Sequence, residues 1–255
     1  MDVVSLGAGV QSSGIIIMME EGLLPKADLV VFADTGDEPR RVYEYLEYLK
    51  SIMTMPFVQV MKGDGLKAAI EAACRGELKR VSTLPLFTGG GGRIKRQCTW
   101  DYKVMPIRRE IKQHTKKATV IRGISFDERH RATQSDVKWI KNAHPLVDRQ
   151  MTRQDIARLI LKLGHPMPPK SACRICSNRC NAGWLEMRGL APDDFEAACR
   201  MDELMRNNLP KMKEEVFIHR QCVPLRDADF EKGIDPDQLA LGGDGWADCE
   251  GLCGV

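Results

Sequence analysis

Ser5-Leu6-Gly7-Ala8-Gly9-Val10-Gln11-Ser12-Ser13 lies between a short apolar run, Val3-Val4-Ser5, and a helix-like stretch from Ile15 to Glu21 that stops near Gly22 and Pro25. A strand that passes through glycines into a helix brings free backbone N–H groups and a helix N-terminus to one point, which suits an anion. Ser12 and Ser13 add hydroxyl donors in the first turn. No Gly-Lys-Ser/Thr follows, so this is not a Walker A loop, and the glycine spacing does not complete a dinucleotide fingerprint. It reads as a phosphate cradle of another kind.

Working outward, Leu29-Val30-Val31-Phe32-Ala33 is wholly apolar, as a buried parallel strand would be. From Val42 to Met53, residues Val42, Tyr45, Leu46, Leu49, Ile52 and Met53 share one helical face. Phe57 to Val60 reads as a strand, Leu66 to Cys74 as a helix, Met105 to Ile111 as a helix and Thr119 to Ile121 as a strand. This alternation implies an α/β fold with a Rossmann-like twisted parallel sheet flanked by helices. Gly89 to Gly92 cannot be an element interior, because four glycines lose too much backbone entropy on ordering. With Arg93, Lys95 and Arg96 directly after it, the stretch reads as a mobile basic loop, either a connector or an active-site lid. Beyond residue 145 the character changes. Thr152 to Leu163 is an amphipathic helix, Pro168-Pro169 leads into clustered cysteines, and Pro192 to Asn207 is a further helix. The reading is a nucleotide-binding α/β domain over 1–145 and a smaller helical, cysteine-bearing region over 146–255, packed on the sheet's C-terminal edge.

Composition sets the bounds. The chain has 255 residues and is 43% hydrophobic, enough for a sizeable core. Its 38 basic and 35 acidic residues leave a net charge of +3, which does not mark a nucleic-acid binder by bulk charge. No basic leader precedes an apolar core, and the run Ile15 to Met19 is far too short to span a bilayer. The expectation is a cytoplasmic protein with no membrane partner, whose nine cysteines serve metal, iron–sulfur or thiol chemistry rather than disulfides.

Four blocks, in order along the first half, carry a resemblance. Gly7 to Ser12 is similar to the PP-loop of the adenine-nucleotide alpha-hydrolase superfamily, with Gly7 in place of a serine and Gln11 where that family often has Asp. Phe32-Ala33-Asp34-Thr35-Gly36-Asp37-Glu38 resembles the motif of phosphoadenosine-phosphosulfate reductase-like proteins. Arg96-Gln97-Cys98-Thr99, followed by Lys103 and Pro106, resembles a third element of that branch. Arg122 to Arg131 resembles a fourth, in which Gly123, Glu128 and Arg131 carry over and Ser125 replaces the family arginine. The resemblance implies a sheet of the HUP type. It places the nucleotide on Ser5, Gly7, Gly9, Gln11, Ser12, Ser13, Asp34, Thr35, Gly36, Gly123, Glu128 and Arg131. It makes Asp34, Arg96, Cys98 and Lys103 the catalytic candidates, with Arg96 and Lys103 suited to pyrophosphate charge. At Asp34, Asp37 and Glu38, turn formation and helix capping compete with a ligand role.

Pro168-Pro169-Lys170-Ser171-Ala172-Cys173-Arg174-Ile175-Cys176 also resembles that branch, with Ser177 where the family has proline. Cys173 and Cys176 form a Cys-x-x-Cys turn, and Cys98 or Cys180 would complete a metal set. Zinc, an iron–sulfur cluster, a redox or sulfur-carrying thiol pair, and plain packed thiols all stay open. His165 and His219 are further possible ligands, and the terminal Cys249 and Cys253 are unassigned.

The resemblance implies ATP, with Mg2+ bridging its phosphates and Asp34 as a partner. An acceptor oxygen would attack the α-phosphorus, pyrophosphate would leave, and a nitrogen or sulfur nucleophile would then displace AMP. A tRNA or DNA base, a sulfur donor and a small metabolite are the candidate partners, and a homodimer is left open. Two other functions compete. One is a sulfonucleotide reductase with Cys249 or Cys253 as nucleophile, although Glu250 follows Cys249 and no histidine follows it. The other is a non-catalytic nucleotide- or nucleic-acid-binding module that uses the basic clusters at 93–96 and 108–117.

Overall fold

The computed structural model describes residues 1–232. Its centre is a five-stranded sheet, every pair parallel, made of β1 (Asp2–Leu6), β2 (Leu29–Asp34), β3 (Phe57–Met61), β5 (Ala118–Arg122) and β6 (Ile140–Ala143) in the order β3-β2-β1-β5-β6. β4 (Phe87–Thr88) lies outside this sheet and pairs antiparallel with β7 (Val216–Phe217). The chain winds from β1 toward β3, then returns to place β5 on the other side of β1. This reversal opens a crevice beyond the C-terminal ends of β1 and β5, the position where open α/β sheets take ligands.

Alternation along the strands sorts the core into two faces. Val4, Leu6, Val30 and Phe32 point to one cluster, with α1 (Val10–Glu20), α2 (Arg40–Ile52) and α6 (Arg153–Lys162). Val3, Val31, Ala33 and Val120 point to the other, closed by Ile107 and Ile111 of α4 (Met105–His114). α1 is apolar all round and buried nearly throughout, because the sheet, α2 and α6 surround it. Gly14 makes the α6 contact possible: a Cβ there would stand 2.3 Å from Ile156 Cγ2. The helix starts directly after Gly9, five residues before the apolar periodicity becomes visible in the sequence.

A third cluster gathers around Trp184 of α7 (Asn181–Leu190) and Phe195 of α8 (Pro192–Met205), where the Trp184 ring stacks on Phe230 at 6.1 Å. It also takes Leu66 and Ile70 of α3 (Gly65–Cys74), with Leu84, Leu86 and Tyr102. The hydrophobic clusters therefore do not divide at residue 145, since α6 joins the sheet and the 65–102 segment joins the C-terminal core. Strand β6, the short α5 (Pro145–Asp148) and α7 carry no strong local pattern and are absent from the sequence reading.

The four glycines do not form an open linker. Gly91 N–H donates to Thr88 O and Thr88 N–H to Gly92 O, so they close a tight turn after β4. That turn lies against Glu214 and Glu215. Among the described residues no helix is long and apolar enough to cross a membrane. Cys249, Cys253 and the glycines at 242–245 lie outside the described residues.

Candidate functional site

The crevice beyond β1 and β5 holds a cavity of about 110 Å³. Ser5, Gly7, Gly9, Gln11 and Ser12 line it from the first loop, and Gly123, Glu128 and Arg131 from the segment after β5. The loop is held from within: Gly7 N–H donates to Ser12 Oγ at 3.1 Å, and Ser12 Oγ donates to Gly9 O at 3.3 Å. No acidic residue stands in the first turn of α1, so the helix end keeps its attraction for an anion. Gly123 is required by contact rather than by backbone angle. A Cβ at that position would meet Ser12 N at 2.6 Å and Ser12 Cα at 2.8 Å.

Gln11 is accounted for by its partner. Its Nε2 donates to Glu128 Oε2 at 3.0 Å and to Ser125 Oγ at 3.3 Å, and Arg131 pairs with the same Glu128 oxygen at 2.8 Å. An aspartate at position 11 would face Glu128 carboxylate to carboxylate. Burial raises the Glu128 pKa, with Arg131 and Arg153 opposing.

Five residues outside the expected set complete the cavity: Arg122, Arg153, Lys170, Ser171 and Ala172. Arg153 is the first residue of α6, inside the Thr152–Asp155 capping box. A cation in a helix's first turn opposes the dipole, and that is the local signal that it serves something else. Arg122 ends β5, and burial lowers its pKa, as do Arg131 and Arg108 nearby. Four cations thus face a cavity with a single carboxylate, Glu128. Such a lining neutralises a polyanion.

A second, smaller cavity of about 30 Å³ collects Thr35, Arg96, Cys98, Lys103, Cys173 and Cys176. Glu38 sits buried behind it, with Lys103 Nζ at 3.2 Å and the Thr35 hydroxyl at 3.1 Å from Oε1. The Cys173 thiol points at the same oxygen from 3.9 Å and lies 3.2 Å from Thr35 Oγ1. Asp37 anchors the cysteine turn to the end of β2: its side chain takes Arg174 at 2.9 Å and Ile175 N–H at 3.2 Å.

Several expected site residues stand elsewhere. Asp34 lines neither cavity, because its carboxylate accepts from Gly36 N–H at 2.7 Å, Tyr43 OH at 2.8 Å and Gln59 Nε2 at 2.8 Å. With Asp34 so engaged and Glu128 shared by Gln11 and Arg131, the site's donors do not form a carboxylate seat for Mg2+. Gly36 packs against α3: a Cβ there would lie 3.0 Å from Gly65 Cα. Ser13 is buried in the helix interior, its hydroxyl without a hydrogen bond. Cys180 does not line that cavity, and its Sγ lies 3.4 Å from Lys170 Nζ. Among the described residues no group of three or more His, Cys, Asp and Glu side chains gathers as a metal ion requires. Burial and then Glu38 push the Cys173 thiol well above its usual range. His219 is a core residue bonded to Asn181 Oδ1 at 2.9 Å, and His165 Nδ1 meets Tyr48 OH at 2.7 Å.

The family model of the phosphoadenosine phosphosulfate reductase domain matches residues 2–169. Comparison with curated proteins gives no significant match. Among solved structures the chain is similar to the phosphate complex of phosphoadenylyl-sulfate (PAPS) reductase from Candida auris, at 12% identity and a TM-score of 0.45, over 66% of this chain and 74% of that one. The family match spans all five sheet strands and the first loop, and the chain belongs to the phosphoadenosine phosphosulfate reductase domain family.

Proposed function

We propose that this member of the family binds an adenine nucleotide by its phosphates in the cavity beyond β1 and β5, and transfers the adenylyl group to an acceptor with release of pyrophosphate. The observation that carries this reading is the cavity lining: a glycine loop at a helix N-terminus, faced by Arg122, Arg131, Arg153 and Lys170. The acceptor oxygen attacks the α-phosphorus. The bond from that phosphorus to its bridging oxygen breaks, and pyrophosphate carries the electron pair away. Backbone N–H groups of the loop and Ser12 orient the α-phosphate, and the four cations stabilise charge on the departing pyrophosphate. The test is incubation of full-length protein with labelled ATP and candidate acceptors: tRNA, DNA, a sulfur carrier and small metabolites. Pyrophosphate and an adenylylated acceptor are expected, with AMP released where a nitrogen or sulfur nucleophile then displaces it from the acceptor. Orthophosphate alone, or unchanged ATP, overturns the reading.

A second reading is favoured by the family match itself. In sulfonucleotide reduction a cysteine thiolate attacks the sulfur of the phosphosulfate, the sulfur–oxygen bond to phosphate breaks, and the nucleotide leaves with the electron pair. Cys249 and Cys253 are its candidate nucleophiles. Sulfite release with a dithiol reductant, lost in a Cys249→Ser/Cys253→Ser variant, would select it over adenylyl transfer.

A further inference from the structure

Beside the phosphate cavity, between α4 and strands β5 and β6, lies another of about 250 Å³. Its floor is apolar, made by Ile107 and Ile111 of α4 with Val120 and Ile140 of the sheet. Its rim is a run of hydrogen-bonding side chains, Thr133, Gln134 and Ser135, with Asn142 behind them. Trp100 stands among its lining residues with 45% of its surface exposed. The Arg108 guanidinium lies 4.9 Å from the indole centroid and pairs with Asp136, which holds the ring in place. Arg122 lines this cavity and the phosphate cavity alike, so an occupant here would lie next to the bound phosphates.

We infer that this cavity is the acceptor site and takes a flat heterocyclic ring, a nucleobase. The inference rests on the nucleotide reading above and names the substrate class for the same reaction. A planar base has apolar faces and a polar edge, which match the apolar floor and the amide and hydroxyl rim. Exposed tryptophans are sequence-tolerant stacking surfaces for bases. The volume falls below the roughly 300–1,000 Å³ of pockets that enclose a drug-sized ligand. The site therefore holds a ring and leaves the sugar and anything attached to it outside. The base can arrive on a free nucleoside or in a single strand.

The experiment follows the Trp100 indole resonance of full-length protein labelled with 15N-tryptophan, assigned with Trp100→Phe. Adenosine, guanosine, cytidine and uridine are titrated first, then short single-stranded DNA and RNA oligonucleotides. At least one base is expected to move the resonance, with binding weakened at least about tenfold by Trp100→Ala and also weakened by Gln134→Ala. A response to nucleosides identifies a free metabolite, and a response to oligonucleotides alone identifies a strand-borne base. α,β-Methylene-ATP is added to the same samples. If it binds but no base moves Trp100, the acceptor inference fails while the nucleotide reading stands. If it displaces the nucleoside competitively, the cavity houses the nucleotide's own adenine and the inference is overturned. If Trp100 shifts with protein concentration and not with bases, the face belongs to a second copy of the chain, which also overturns it. If the analogue itself does not bind, it is the nucleotide reading that fails.

Discussion

Gln11 Nε2 donates to Glu128 Oε2 at 3.0 Å, across 117 residues of sequence. The bond ties the first turn of α1 to the 3-10 turn Phe126–Arg131 and so fixes the two halves of the phosphate cavity against each other.

Gln11→Glu turns that bond into a contact between two carboxylates in a partly buried site. It should cost about 1–3 kcal/mol of stability and weaken nucleotide binding. Gln11→Glu/Glu128→Gln restores a donor–acceptor pair with the roles reversed, so most of the stability should return. Urea unfolding of the wild type, both single variants and the double variant gives the coupling. Additive losses would show that the bond does not hold the cavity together.

Gly123→Ala is expected to disturb the loop directly, because its Cβ would stand 2.6 Å from the Ser12 nitrogen. Backbone cannot rotate away as a side chain can, so the first turn of α1 must shift. A cost of about 1–3 kcal/mol follows, with nucleotide binding weakened at least about tenfold, the change that a 1.4 kcal/mol loss produces. Gly189→Ala is the control. A Cβ there meets nothing within 4 Å in the last turn of α7, so stability should be unchanged or slightly raised. Calorimetric melting and nucleotide titration of the two variants separate the effects.

Which expected residues reach the cavity and which do not has a physical cause. Gly7, Gly9, Ser12, Gly123 and Glu128 were legible because each lies just after a strand whose apolar run marks it, and a parallel sheet brings such positions together. Arg153 and Lys170 reach the same cavity from segments whose local pattern describes a helix start and a proline-rich turn. Only the folded chain brings them there. Asp34 misleads in the opposite sense. An acid at a strand's C-terminal end reads as ligand-facing, but Tyr43 and Gln59 satisfy it from 9 and 25 residues away. The Cys-x-x-Cys turn was visible as a pair, whereas its dependence on Asp37 and Glu38 was not, since those contacts span 135 residues or more.

Arg174→Met should destabilise the protein in a pH-dependent way. Burial raises the Asp37 pKa to about 6, and Arg174 opposes that rise. A carboxyl with a raised folded pKa holds its proton more tightly in the native state. Its contribution to stability is therefore present at low pH and lost as pH climbs through about 6. Removing Arg174 leaves a buried carboxylate without its cation, which costs about 3–5 kcal/mol when the group is charged. The loss should be largest at high pH and should shrink as pH falls toward about 6, because without Arg174 the buried Asp37 takes up its proton above the wild-type value. Urea midpoints at several pH values test it. A penalty independent of pH would show that Arg174 acts by packing alone.

His219 gives the opposite slope in the C-terminal core. Its two nitrogens are engaged as a neutral ring, Nε2 with Asn181 Oδ1 at 2.9 Å and Nδ1 with Gln221 N–H at 3.4 Å. Burial lowers its pKa to about 4, with Arg220 adding to the effect. A histidine whose folded pKa is depressed binds protons less readily in the native state than when unfolded. Its contribution is thus intact above the usual histidine range and is lost as pH falls from about 6.5 toward 4. The lowering corresponds to roughly 3 kcal/mol across that window. His219→Gln keeps a hydrogen-bonding side chain at the position and removes the titration, so its stability curve should be flatter than wild type between pH 6.5 and 4. The wild type should also lose the tertiary signal of Trp184, whose ring shares the Phe230 contact with His219, before the sheet unfolds. Near-UV circular dichroism alongside far-UV signal follows both transitions. An identical acid profile in the variant would place the acid-sensitive group elsewhere.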